Sequence, residues 1–447
     1  MLKKLNLENN SFNRLFLFGF TLVVLMVSIL TPPFQSPDEF KHFERAYTIA
    51  NGQFFLDKKG TGRVDNNLLQ FESLYNSFPF KYEKKNTFEL ETDARRLDWS
   101  SESQNVSLVN TAVYFPIPYI PQAVGIYIGN MLDFSIYDSY RISKLIGIFS
   151  CLILIFVANK IYPITPAVYF ILTLPMTIFQ MSSTTPDGII FALSLVLGSL
   201  ISRGINQDSK FSISHFILIC ITYFIICTMK INIIPILIII LMVCHHRKLR
   251  CGYRFFFITI FFILGWILFS YTNFLSGEHF SQDGLGTTDK IKYYLAHTNE
   301  FIQIFVNTFS SVELIGSHLK QFIGVLGWLD TPLSSEKYTL LLCYGACIMV
   351  LSLNSFSLNI HVFLKVFTLL SLVLFTYFLL LLTWTPITEK VIHGVQGRYF
   401  IPIAIIFGYM LHLGGSKLSL AKIIVLLSLI SSSIFTISAI NYRYLLS

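Results

Sequence analysis

Apolar and polar positions alternate along this chain in long blocks, not at the period of a strand or of a single amphipathic helix. Eleven runs are nearly free of charge: 15–34, 142–159, 164–182, 188–202, 213–229, 231–244, 255–275, 338–353, 366–384, 399–413 and 423–440. Each predicts a membrane helix, although several fall short of the roughly 20 residues that a perpendicular crossing needs. A twelfth stretch, 114–132 (YFPIPYIPQAVGIYIGNML), holds Pro116, Pro118 and Pro121. Prolines break the first half of any helix there, so this stretch is expected to lie at the membrane surface or to re-enter it. The fold class that follows is an all-α polytopic membrane protein of about eleven spans, with residues 1–447 as one transmembrane domain. Span one covers 15–34, spans two to seven lie within 142–275, and spans eight to eleven within 338–440. Two water-facing loops, 35–141 and 276–337, separate them.

Composition sharpens this picture. Of 447 residues, 53% are hydrophobic and only 13% charged, with a mean hydropathy of +0.62. Soluble domains carry about 25% charge. The net charge of +8 would suit nucleic acid if it formed one patch, but the basic residues sit at the ends of the apolar runs, so no nucleic-acid partner is expected. With the N-terminus in the cytoplasm, the inner loops carry Lys3, Lys4, Arg14, Lys160, Arg203, Lys210, Arg247, Lys248, Arg250, Arg254, Lys365, Lys417 and Lys422 against Glu8 and Asp208. That bias is the positive-inside pattern, and it places loop 35–141 and the C-terminus outside. The first apolar run ends in Pro32-Pro33 without a small-residue cleavage site, so it reads as a retained span. The seven cysteines lie in apolar runs or in the basic loop near Arg250, and none predicts a disulfide.

Candidate chemistry begins where the first span ends, in TPPFQSPDEFKHFERAY (31–47). Ser36-Pro37-Asp38-Glu39 has the form of a helix start, with Ser36 as N-cap, Pro37 at N1 and Glu39 completing a capping box. Asp38 is left without a role in that reading. Helical spacing would place Asp38, His42 and Arg45 on one face. Loop 35–141 holds 14 of the 25 acidic residues, a mixed-charge module too small for a large core of its own.

The motif SPDEFKHFERAYTIANG resembles a bacterial polytopic family of unknown function within the GT-C glycosyltransferase clan. Further blocks follow in order: NTAVYFPIPYIPQAVGI (110–126), LPMTIFQMSSTTPDGIIFAL (174–193), GVLGWLDTPL (324–333) and VQGRYFIPI (395–403). The resemblance spans about residues 20–405. It implies transfer of a sugar from a polyprenyl-phosphate carrier to an acceptor on the outer side of a bacterial inner membrane. It also implies a catalytic carboxylate in the first outer loop and a second acidic position after the third span, where Asp187 stands.

Those residue types suit that chemistry. A phosphate leaving group is stable as an anion, so one base and a set of cations suffice. Asp38 is the expected base, with Glu39 the close alternative. Arg398, Lys230 and Arg45 are the candidate donor-phosphate ligands, although Arg398 and Lys230 also fit snorkelling residues at helix ends. Asp187 equally fits the first-turn acid of its helix. His42, Trp328, Asp330, Gln396 and Tyr399 are candidate groove residues. Trp328 and Asp330 fit a belt tryptophan and a turn residue as well. No HxxxH or DxD pair is present, so neither a metal site nor a cofactor is expected. The partners implied are a polyprenyl-phosphate-linked hexose such as glucose, a surface glycan or glycolipid such as O-antigen, and membrane lipid. A transporter or flippase would show charged mid-membrane helices and repeated halves, which this sequence lacks. A non-catalytic envelope assembly protein would use the large loop only for docking.

Overall fold

The computed structural model describes residues 2–100, 102–206, 210–275, 283–352, 360–411 and 416–446. Helix α1 (Leu2–Leu30) leads into the first polar stretch. That stretch holds α2 (Glu39–Ala50), β1 (Thr61–Asp65), α3 (Asn66–Tyr75), α4 (Phe88–Arg95), β2 (Ser103–Ser107), α5 (Val109–Ala112) and α6 (Ile120–Met131). Next come α7 (Ile136–Ile161), α8 (Pro166–Thr173), α9 (Pro175–Met181), α10 (Asp187–Ile205), α11 (Ile213–Met229), α12 (Leu237–His246) and α13 (Gly252–Ser270). The second polar stretch holds α14 (Thr287–Ala296), α15 (Thr298–Ser310), α16 (Val312–Gly324), β3 (Val325–Leu326) and β4 (Thr331–Pro332). The chain continues through α17 (Ser335–Ser352), α18 (Ile360–Thr383), α19 (Ile401–Gly408) and α20 (Ser416–Tyr444).

Every apolar run is largely helical where described, but among the described residues six helices, against the eleven expected, are long and apolar enough to cross a membrane: Ser11–Leu30, Ile136–Ile161, Asp187–Ile205, Gly252–Phe274, Ile360–Thr383 and Lys417–Tyr444. The run 164–182 shows why a hydropathy window overcounts. Leu174 is extended ahead of Pro175 and splits the run into helices of eight and seven residues, because a residue before proline is pushed out of the α region. Both pieces are almost wholly enclosed by other helices, so their length need not match the bilayer. Asp208 and the ends of the runs 338–353 and 399–413 lie outside the described residues.

The stretch 114–132 forms a 3₁₀ turn and then α6, which folds back along the first half of α7. A Cβ on Gly125 would come within 2.3 Å of the Ser143 backbone, and one on Gly129 within 2.3 Å of the Ser139 hydroxyl. Two glycines one helical turn apart therefore let α6 and α7 touch at backbone distance. Lys144 marks the level at which α1 ends, since its buried ammonium donates to the Ser28 carbonyl at 3.0 Å, where a cation complements the negative end of the helix.

Two short ribbons depart from a purely helical expectation. β1 and β2 pair antiparallel from Thr61↔Ser107 to Asp65↔Ser103, and β3 pairs with β4. Asp65 ends β1 and caps α3 by accepting from the Asn67 and Leu68 N–H groups, so one residue turns strand into helix. The core of this first polar module is continuous with that of the membrane helices: Phe34, Phe43, Phe71 and Tyr75 belong to the same cluster as Phe16 and Leu195.

The two faces of the bundle are set by contacts independent of charge counting. On one face, Arg203 holds the Ile161 carbonyl, Arg247 holds Gly204, and Lys422 lies over Phe12. On the other, the end of α20 docks on the first polar module, where the Asn86 N–H donates to the Tyr444 carbonyl at 2.8 Å. The final helix thus ends on the face that carries residues 35–141, opposite the basic face.

Candidate active site

Four charged side chains from four helix ends meet on the face of residues 35–141. Lys230 follows α11, Asp187 opens α10, Arg398 lies in the 3₁₀ turn before α19, and Asp38 precedes α2. They form a chain of ion pairs. Lys230 Nζ is 2.8 Å from Asp187 Oδ1, Arg398 Nη1 is 3.4 Å from Asp187 Oδ2, and Arg398 Nη2 is 2.8 Å from Asp38 Oδ2. Side-chain exposure runs from 4% for Arg398 and 5% for Asp187 through 17% for Lys230 to 58% for Asp38. The cluster is balanced in charge, and Asp38 is its open end.

Local structure explains each placement. Asp38 has φ 63° and ψ 9° and makes no side-chain cap bond. Aspartate tolerates this left-handed conformation better than most residues, and the turn aims the carboxylate away from α2. Arg398 is seated by Gly397, where a Cβ would collide with the Phe322 N at 2.1 Å, so α16 runs flush behind the guanidinium. Gln396 Oε1 takes the Arg398 Nε–H at 2.7 Å, and the Pro37 carbonyl takes Nη1 at 3.3 Å. The Tyr399 ring lies 5.2 Å below Lys230 Nζ and 5.8 Å from the Arg398 guanidinium, a cation–π seat for both.

His42 joins the site one turn into α2. Its Nδ1 is 2.8 Å from the Tyr119 hydroxyl, and its ring stacks on Tyr114 at 6.1 Å. Burial lowers its pKa from 6.5 to about 4; Asp38 and Asp187 pull it up, while Arg398 and Lys230 push it down. The imidazole is therefore neutral at physiological pH. Because the folded pKa lies below the unfolded one, its contribution to stability is present above pH 6.5 and is lost as pH falls toward 4. At pH 5 the loss is about 2 kcal/mol. His42→Gln is expected to remove that component, so thermal unfolding in detergent should fall less between pH 7 and pH 5 than in the unsubstituted chain. An equal fall in both would show that His42 is not the group responsible.

Glu39 makes its contacts outside this ion-pair chain. Its Oε1 accepts from the Tyr140 hydroxyl at 2.9 Å and from both the Thr184 N–H and hydroxyl at 2.8 Å, and its Oε2 accepts from the Ser36 N–H at 2.9 Å. With 1% exposure and four donors, three of them on Oε1, this carboxylate is enclosed and held by its neighbours. The expected capping box is half formed. Glu39 reaches back to Ser36 N, but α2 starts at Glu39, and the Ser36 hydroxyl turns to Gln180 Oε1 at 3.1 Å. Glu39 thereby ties the start of α2 to the Ser182–Asp187 turn and fixes the separation of Asp38 and Asp187.

Arg45 is also drawn away. Its guanidinium donates to Thr48 Oγ1 at 2.9 Å and to the Gln53 and Phe54 carbonyls at 3.1 and 2.6 Å, closing the C-terminal end of α2. Trp328 donates to the Phe34 carbonyl at 3.0 Å and steadies the loop that presents Asp38. Asp330 makes a buried ion pair with Arg443 at 3.1 Å, both side chains 1% exposed, and accepts the Phe80 N–H at 2.8 Å. It is a joint between the second polar stretch, the first and α20. Tyr114, Tyr119, Gln180 and Thr184 were missed as site residues. The pairing of YFPIPY with a membrane-adjacent histidine was the available signal for the two tyrosines.

An apolar cavity of about 750 Å³ opens between α11 and α13, lined by Phe115, Phe224, Phe261, Phe262 and Trp266 among others. Phe261 and Phe262 are exposed on the outside of the bundle, so the cavity faces the hydrocarbon region. At its upper end Trp266 Nε1 donates to the Val113 carbonyl at 3.1 Å. The next residue, Tyr114, stacks on His42.

The blocks that carry these side chains lie far apart in sequence and converge here: Asp38 and His42, then Tyr114 and Tyr119, Asp187, Trp328 in support, and Arg398. Neither a curated protein nor a solved structure matches the chain. A family model does match, over residues 20–407, a range that encloses all four charges. The chain belongs to that family, DUF2142, described as a predicted membrane protein.

Proposed function

We propose that this is a membrane glycosyltransferase of GT-C type, moving a hexose such as glucose from a polyprenyl-phosphate carrier to a surface glycan or glycolipid at the periplasmic face of a bacterial inner membrane. The observation that carries this reading is the junction of an exposed carboxylate with buried Arg398, which Asp187 links in turn to the half-buried Lys230. In the reaction the acceptor hydroxyl attacks C1 of the hexose and passes its proton to Asp38. The C1–O bond to phosphate breaks, and its electron pair leaves on the phosphate, where Arg398 and Lys230 stabilise it. Products are the glycoside and free polyprenyl phosphate. Asp187 holds the two cations together, and neutral His42, aligned by Tyr119, offers a hydrogen bond to a sugar or acceptor oxygen. The apolar cavity supports the carrier chain, with its mouth one residue from the aromatic wall of the site.

The test uses the purified chain in detergent, radiolabelled polyprenyl-phosphate hexoses and a glycolipid extract as acceptor. Label should pass to the acceptor as polyprenyl phosphate is released; failure with every hexose donor would overturn the reading. Within this assay, Arg398→Lys keeps the charge but loses the forked donor pair. It is expected to raise the donor KM about tenfold, the equivalent of one good charge-assisted contact. An unchanged donor curve would remove Arg398 from the phosphate site.

A further inference from the structure

Arg398 faces two carboxylates but has little left to offer a ligand. Its Nε is on Gln396, its Nη1 between the Pro37 carbonyl and Asp187, and its Nη2 on Asp38. These contacts use four of its five N–H donors, so a phosphate gripped by two donors of the fork must displace one of these partners. Asp187 is enclosed and also held by Lys230 at 2.8 Å. Asp38 is the most exposed member of the cluster, and its carboxylate has Arg398 as its ion-pair partner. Its backbone is fixed independently, since the Asp38 carbonyl accepts the His42 N–H at 3.1 Å. Rotation about the side chain alone can therefore release the carboxylate while α2 stays in place.

The same contact blocks the chemistry assigned to Asp38. The Asp38 oxygen that takes the Arg398 Nη2–H at 2.8 Å is filled by that donor and is not open to an acceptor hydroxyl. The resting arrangement therefore holds both a filled anion seat and an occupied base.

We propose that Asp38 is the chain's own occupant of the Arg398 anion seat, and that the phosphate of the substrate displaces it, so that phosphate binding comes first and frees the carboxylate to act as base. This rests on the reading above for the role of the released carboxylate, while the displacement itself is a property of the cluster with any phosphate ester or phosphate ion. It imposes an order: carrier phosphate, then acceptor. A hydroxyl that arrives alone meets a base still paired with Arg398, which suppresses premature proton abstraction.

Carbodiimide coupling to glycinamide, read at Asp38 by mass spectrometry on the full chain in detergent, tests this. The ion-paired carboxylate should label slowly. Polyprenyl monophosphate in mixed micelles, or inorganic phosphate at higher concentration, should raise labelling at Asp38 saturably, by about threefold or more, as an exposed ion pair of modest strength is broken. A response to the lipid at far lower concentration than to inorganic phosphate identifies a lipid headgroup as the natural occupant, and equal responses identify a free anion. In Arg398→Gln, Asp38 should label rapidly from the start and ignore phosphate. Labelling in the unsubstituted chain that falls with phosphate, because the ligand shields Asp38, or that stays constant, overturns the proposal. The two readings fail separately. A chain that transfers no hexose but shows the rise keeps the displacement and loses the glycosyltransferase. A chain that transfers hexose while phosphate protects Asp38 does the reverse.

Discussion

Asp38→Asn is expected to lower hexose transfer by about 10³-fold, within the range that a positioned general base contributes, while the chain still folds. The substitution isolates the charge. Asparagine has the shape of aspartate and is equally at home at φ 63°, and the Asp38 side chain makes no cap bond whose loss would unwind α2. What the fold loses is one ion pair on the exposed side of the cluster, worth about 0–1 kcal/mol. Transfer rate and thermal unfolding should be measured on the same preparation. A variant that unfolds at nearly the usual temperature yet fails to transfer fits a base. Retention of a tenth or more of the activity would mean that the proton leaves by another route. Glu39 is a poor candidate for that route, since its carboxylate is enclosed and four donors already hold it.

Arg443→Met should have the largest effect on stability. Arg443 donates to the Phe78 and Lys84 carbonyls as well as to Asp330, and removing it leaves a carboxylate with 1% exposure without its cation. Breaking one half of a buried pair costs about 3–5 kcal/mol. The melting temperature in detergent should drop sharply, and limited proteolysis should open residues 78–86 first, because their carbonyls and Asn86 rest on the end of α20. Adding Asp330→Asn to Arg443→Met should recover part of the loss, since asparagine can still accept the Phe80 N–H without a buried charge. If the double variant is no more stable than the single one, the stranded charge is not what destabilises the chain.

The parts of this site legible in the sequence are those where polarity contradicts its surroundings. Asp187, Lys230 and Arg398 each stand at the edge of an apolar run, and the cost of a charge there singles them out whatever they bind. That they meet one another is a matter of helix packing, which no local pattern encodes. Arg45 and Asp38 were expected on one helical face, but the left-handed turn at Asp38 lies outside α2 and breaks the periodicity on which that expectation stood. Asp330 looked like a groove residue because its partner, Arg443, is 113 residues away and resembles any basic residue at a helix end. The ribbon of TGRVD with SQNVS was hidden for a similar reason: two short polar strands are stabilised by pairing with each other, and neither has an apolar alternation of its own.

The contact between Asp38 and Arg398 joins residues 360 positions apart, and this has a consequence for how the protein is made. At about 5–20 residues per second, a ribosome takes roughly 20–70 s to travel from one to the other. Over that interval the segment after the first helix has local pairs such as Lys41–Glu44 and Arg95–Glu91 to rely on, but Asp38 lacks its cation and the last helix is absent. Long-range pairings of this kind also close late, since each must overcome the entropy of a large loop. A nascent chain therefore carries Asp38 from the outset but cannot assemble the four-charge cluster until Arg398 and the penultimate helix are in place. During that window the segment is most open to proteases and holdases of its compartment, and slowing synthesis downstream of residue 141 should lower the yield of folded protein more than slowing it upstream.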